Sequence, residues 1–191
     1  MFLHHLRDQH SNDFRLYTDG SKVENGVAYA IANEDLEISK RLHNNATIFT
    51  AELKAILDAV KCANNTDHPK IVIITDSRSS IQTITNIYTR NPLKQEIQDA
   101  IRSEGKHFSL CWVPSHIGVE GNERADQLAR AATLNEMIDQ WQIPRGDLKA
   151  YIKAKTRWFW NQSWAQIEIQ DNKLREITNS ITPLPNTACY N

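Results

Sequence analysis

Cysteine is scarce and scattered: Cys62, Cys111 and Cys189 stand far apart, with no CxxC pair and no matching histidine spacing. That pattern excludes a disulfide framework and a zinc site. No apolar run approaches the roughly 18 residues a membrane-spanning helix needs, and the opening MFLHHLRDQHSNDF lacks the apolar core of a signal peptide. The expectation is an intracellular protein, cytoplasmic or nuclear, with no membrane partner. An excess of charge is missing too, since 22 Lys and Arg stand against 23 Asp and Glu for a net charge of -1. No global basic field draws in nucleic acid, so a polyanion would have to be held locally or through metal ions. Glycine and proline, six of each in 191 residues, are too few for a low-complexity chain, and there are no internal repeats.

What is there is the composition of a globular protein, 40% apolar and 24% charged, long enough for one full domain and a smaller piece. FRLYTDG (14–20) reads as a strand closed by an Asp-Gly turn, and GVAYAIAN (26–33) and LEISKRL (36–42) as two more, giving an antiparallel meander. TAELKAILDAVKCA (50–63) has the 3.6-residue period of a helix. KIVIITDS (70–77) is nearly all apolar, the pattern of a strand covered on both faces. Helices are expected from Ser77 to Tyr88 and from Pro92 to Gly105, then a strand at 107–114 and a helix at 121–134. The order βββαβααβα predicts an α/β fold whose mixed five-stranded sheet is flanked by helices.

Four carboxylates stand out. Asp19 and Asp76 each close a β-run, and carboxyl ends of neighbouring strands share the sheet edge where ligands bind. Either could equally be local chemistry, Asp19 as a turn aspartate and Asp76 as a helix N-cap. Glu52 shares a helical stripe with Ala55, Ile56, Ala59 and Ala63, which places it on the face to be buried. An unpaired buried carboxylate costs several kcal/mol. Asp126 borders the apolar stripe of Ala125, Leu128, Ala129 and Ala132. Such groups can converge only if something cancels their repulsion, as oxygen-liganded divalent cations do.

At these positions the chain resembles the type 1 ribonuclease H family: YTDGS around Asp19, TAEL around Glu52, TDS around Asp76, and SHIGVEGNERAD ending at Asp126 match its motifs in order over residues 14–134. The wording is most similar to the domain of animal non-LTR retrotransposon polyproteins. The resemblance implies a ribonuclease H-like fold and hydrolysis of the RNA strand of RNA/DNA hybrids to 5′-phosphate and 3′-hydroxyl ends. It implies that Asp19, Glu52, Asp76 and Asp126 ligate two Mg²⁺ ions, for which Mn²⁺ can substitute. By the same carry-over His116 moves a proton or releases product from its loop, and Ser21 and Asn122 either support the carboxylate-bearing residues from behind or contact the substrate backbone. It also makes a reverse transcriptase domain a candidate partner for a domain expected to be monomeric. Cellular members have asparagines shortly before the glutamate, where this chain has Ile48, Phe49 and Thr50. That substitution shifts expected reading of the minor groove towards backbone amides and weakens expected RNA selectivity. The Tyr88 to Gly105 stretch also lacks the Lys-rich, Trp-bearing protrusion with which some members grip hybrids.

Residues 135–191 read as a helical C-terminal extension with a frayed end at ITPLPNTACYN, its helix spanning 147–169. Between 145 and 175 it holds seven basic residues (Arg145, Lys149, Lys153, Lys155, Arg157, Lys173, Arg175) and three acidic ones (Asp147, Glu168, Asp171), interleaved with Tyr151, Trp158, Phe159, Trp160 and Trp164. This is either an auxiliary nucleic-acid surface or, as the expectation favours, aromatics packed on protein. Two rival functions are a non-catalytic nucleic-acid-binding or interaction module and a DNA-directed two-metal nuclease or transposase. The intact carboxylate set disfavours the first and the GNERAD motif the second.

Overall fold

In the computed structural model, which describes residues 13–103 and 105–166, the element order follows the expectation. The chain runs β1 (Phe14–Val23), β2 (Gly26–Ala32), β3 (Glu37–Leu42), α1 (Ile48–Asn64), β4 (Lys70–Thr75), α2 (Arg78–Thr85), α3 (Pro92–Ser103), β5 (His107–Trp112), α4 (Glu120–Ala132) and α5 (Arg145–Gln166). The sheet order is β3-β2-β1-β4-β5. β2 is antiparallel to β1 and β3, whereas β4 is parallel to β1 and β5. The meander and the helical crossovers therefore meet at β1, the middle strand.

Alternation along β1 sorts the helices onto the two faces. Leu16 joins the cluster built with Leu53, Ile56 and Leu57 of α1 and Leu93 and Ile97 of α3. Tyr17 points the other way, where its ring lies so close to Gly121 that a Cβ there would come within 2.2 Å. α4 thus covers the face opposite α1. β4 is buried at every position after Lys70, as a strand flanked by two others should be.

One local expectation fails. Asp19-Gly20 does not turn the chain: β1 continues to Val23, pairing Asp19 with Ala30 and Gly20 with Tyr29, and the turn comes at residues 24–25. The need for glycine at 20 is proximity to a helix. A Cβ there would lie 2.8 Å from the Glu52 backbone N and 3.1 Å from the Ala51 carbonyl carbon. Gly20→Ala should accordingly cost about 1–3 kcal/mol through forced backbone movement, read as a lower urea midpoint at unchanged slope.

α2 also stops short of the expected Tyr88. Asn86, its C-cap, has extended ψ, and its Oδ1 accepts from Tyr88 N at 2.9 Å, so a side chain that bonds its own backbone ends the helix. α1 begins two residues before the expected Thr50, because Thr47 caps it by accepting from Thr50 N at 3.2 Å.

A division into compact units falls between Pro144 and Arg145. Residues 135–144 are tied to the first unit: Ile138 bridges Arg41, Asp139 N donates to Arg41 O at 2.7 Å, and Trp141 packs on the core. The second unit begins with α5, whose apolar residues form no single stripe and whose large side chains are mostly exposed. The expected frayed end and residues 167–169 of the expected helix lie outside the described residues. No helix among the described residues is long and apolar enough to cross a membrane.

Candidate active site

The parallel pairing of β1 with β4 places Thr18 opposite Thr75, so the next residues on each strand, Asp19 and Asp76, emerge side by side. α1 starts over Gly20 and directs Glu52 from its second turn towards the same point. The carboxylates of Asp19, Glu52 and Asp76 each offer an oxygen within 4.8 Å of the others. Asp126 arrives from α4 on the opposite face, and all four line one cleft of about 540 Å³ with Gly20, Ser21, Lys22, Val23, Ile48, Ser77, Ser115 and Arg130. The four predicted carboxylates therefore meet.

The surroundings are hard on negative charge. Asp19 is 5% exposed and Glu52 9%. Burial, then the charges of Asp76 and Asp126, push the Asp19 carboxyl up to about 7, against the Gly20 amide and Arg130, which favour its ionised form. Burial, then Asp19 and Asp76, push Glu52 up to about 9. Glu52 Oε2 is buried and has no hydrogen-bond partner. A cluster of carboxylates, two of them buried and one with an orphaned oxygen, fits a hard divalent cation, which would satisfy that oxygen and cancel the repulsion.

Neighbours hold the carboxylate-bearing residues in place. Trp112 Nε1 donates to the Asp76 carbonyl at 2.9 Å, fixing the end of β4 from β5. Arg130 Nε donates to Asp126 Oδ1 at 2.8 Å, one turn along α4. Sequence reasoning passed over Arg130, although its i, i+4 spacing from Asp126 is the signal that finds it. Ser115 and Ile48 reach the cleft with no comparable sequence signal.

The remaining expected residues separate. Ser21 lines the cleft at 8% exposure. Asn122 does not: it is 3% exposed, its Oδ1 has no partner, and it shares the buried stripe of α4 with Ala125, Ala129 and Ala132. The i, i+3, i+7 spacing that buries those alanines buries Asn122 too. His116 stands on the loop before α4 with φ 57°. Its exposed ring lies 3.6 Å from Glu123 Oε2, and His116, Glu123 and Asp126 form a second group with possible ligand atoms within 4.8 Å.

The sequence matches the RNase H family over residues 11–134. It is 30% identical over 152 residues to a ribonuclease H of Tropheryma whipplei, covering 70% of this chain and 92% of that protein. It is 31% identical to mouse ribonuclease H1 over 137 residues, 60% of this chain and 48% of the mouse protein. Among solved structures, the RNase H1 of the halophilic archaeon Halobacterium salinarum superposes with a TM-score of 0.51 at 22% identity, over 63% of this chain and 97% of the other. That likeness concerns the fold, while the sequence matches carry the kinship. Matched across the whole of the carboxylate-bearing region, the chain belongs to the RNase H family.

Proposed function

We propose that this ribonuclease H hydrolyses the RNA strand of RNA/DNA hybrids with two Mg²⁺ ions, or Mn²⁺, leaving 5′-phosphate and 3′-hydroxyl ends. The observation that carries the reading is the trio of buried Asp19 and Glu52 with half-buried Asp76, with oxygens within 4.8 Å of one another and one of them unpartnered. Asp126 adds a fourth carboxylate from the opposite face of the sheet. When bound, the cations supply activation of the attacking water and charge stabilisation of the leaving oxygen. The four carboxylates would hold the ions, and they stand on strands and helices on both faces of the sheet. Ser21, at the cleft wall, would contact the substrate backbone. Asn122, buried in α4, is left out of substrate contact in this reading.

His116 would exchange a proton with the leaving group, swinging from its neighbour Glu123 towards the cleft. The His116→Asn substitution tests it, because asparagine tolerates the left-handed backbone at this position. Steady-state turnover should fall by up to ~10²-fold without vanishing. An unchanged rate removes the histidine from the mechanism.

The substrate itself is tested with one end-labelled RNA presented as hybrid, as double-stranded RNA and alone, beside duplex DNA, with Mg²⁺ or chelator. Cleavage of the hybrid only, and only with the cation, supports the reading. Cation-dependent cutting of duplex DNA would transfer the site to a DNA nuclease. A partner such as a reverse transcriptase domain, and placement in cytoplasm or nucleus, belong to the same proposal.

A further inference from the structure

Viewed down its own axis at roughly 100° per residue, α5 presents two sectors. Tyr151, Ile152, Trp158 and Phe159 lie in one, and Lys155 belongs with them. Its Nζ lies 5.5 Å from the Trp158 ring centroid and 5.6 Å from that of Phe159, and the two rings meet edge to face at 4.9 Å. That cation is engaged by aromatic faces. Lys149, Lys153 and Arg157 form a row on the other side, spaced four residues apart. The row rises about 6 Å per step and leads, within a sector about 80° wide, to Trp160.

Nothing within the helix balances this row. Like charges at i, i+4 destabilise a helix, yet the spacing occurs twice in succession. Asp147, the only acidic residue of α5, lies outside the sector. Among the described residues none of the three cations makes an ion pair. All three are exposed, and Trp160 is 59% exposed. In a chain of net charge -1, this is a local concentration of positive charge that the overall composition conceals.

We propose that the Lys149–Lys153–Arg157 row, continued by Trp160, binds a single-stranded stretch of nucleic acid. Evenly stepped cations suit a phosphate backbone, and an exposed indole adjoining them suits a base. An acidic peptide would satisfy the cations and leave the indole without a role. Paired bases already stack on one another and offer the indole no free face, so the strand bound is an unpaired one, such as an overhang of a hybrid. This surface is independent of the cleavage reading, because it needs neither cation nor carboxylate.

The test uses the full chain in chelator, where no cleavage interferes, and labelled single-stranded RNA followed by fluorescence anisotropy across a salt series. The Lys149→Gln, Lys153→Gln, Arg157→Gln triple variant should bind more weakly, with the slope of log K against log salt reduced by about 2. Trp160→Ala should lose about tenfold in affinity with the slope unchanged. Matched duplex DNA should bind the parent more weakly than the single strand does. A control triple, Lys61→Gln, Lys70→Gln, Arg102→Gln, removes equal charge from exposed positions of the first unit. Circular dichroism verifies that helix content is retained in every variant. Equal loss in both triples, an unchanged slope in the α5 triple, or no binding by the parent at low salt overturns the proposal. Retained binding by Trp160→Ala removes the stacking and with it the preference for unpaired strands.

Discussion

Asp19→Asn is expected to reduce hybrid cleavage below a few per cent of the parent rate while the fold persists. Asp19 is central to the cluster: it faces Asp76 across the β1–β4 pair, and its carboxyl feels both Asp76 and Asp126. Asparagine keeps the volume and the strand pairing but withdraws a full negative charge from the point where cations would be held. The same withdrawal relieves repulsion, so the variant should melt no lower than the parent in chelator. A single-turnover assay beside a thermal melt reads both. Substantial cleavage by the folded variant would mean that the carboxylate does not hold a reaction-supporting cation.

The second large effect concerns stability. Glu52 is pushed from its ordinary 4.5 to about 9, and Asp19 from 3.8 to about 7. In each case the folded state holds a proton that the unfolded chain would release. The folded state therefore binds more protons between the two values, and stability falls as pH rises through that window. In chelator, the melting temperature should decline progressively from about pH 4.5 towards pH 9. Mg²⁺ should reverse most of the decline at the alkaline end, because a bound cation replaces the proton as the neutralising charge. Glu52→Gln removes the group that titrates highest. It should raise the chelated melting temperature at pH 8 by roughly 2–12 °C, taking about 1–3 kcal/mol for the removed titration and for the repulsion of its carboxyl by Asp19 and Asp76, and should blunt the Mg²⁺ response. Parallel pH profiles for parent and variant, each equally responsive to Mg²⁺, would contradict this account of the cluster.

Much of this site was legible in the sequence because the signals were local. The stripe of Glu52, Ala55, Ile56, Ala59 and Ala63 is buried as its spacing requires, and the apolar run at 70–75 lies between two strands. The register of an antiparallel pair is not local. Nothing within YTDGS discloses that β2 pairs past Asp19 as far as Val23, so the aspartate read as a turn residue sits within a strand. Gly20 was misread for a related reason, since its requirement comes from a helix more than thirty residues later. The helical period of Asn122 already put it with the buried alanines Ala125, Ala129 and Ala132, which suits support from behind the cleft rather than contact across it. Ser115 and Ile48 reach the cleft only through tertiary folding, for which no period or spacing exists.

α4 lies last among the elements of the first unit, yet it carries Asp126 back to β1, near where the described chain starts. On the ribosome, then, β1 to β5 can emerge and begin to pair before the fourth carboxylate exists. A nascent chain exposes an unfinished trio and an open sheet face where α4 will lie. Hydrolytic competence should switch on abruptly when residues 120–132 clear the exit tunnel and dock, rather than growing with chain length.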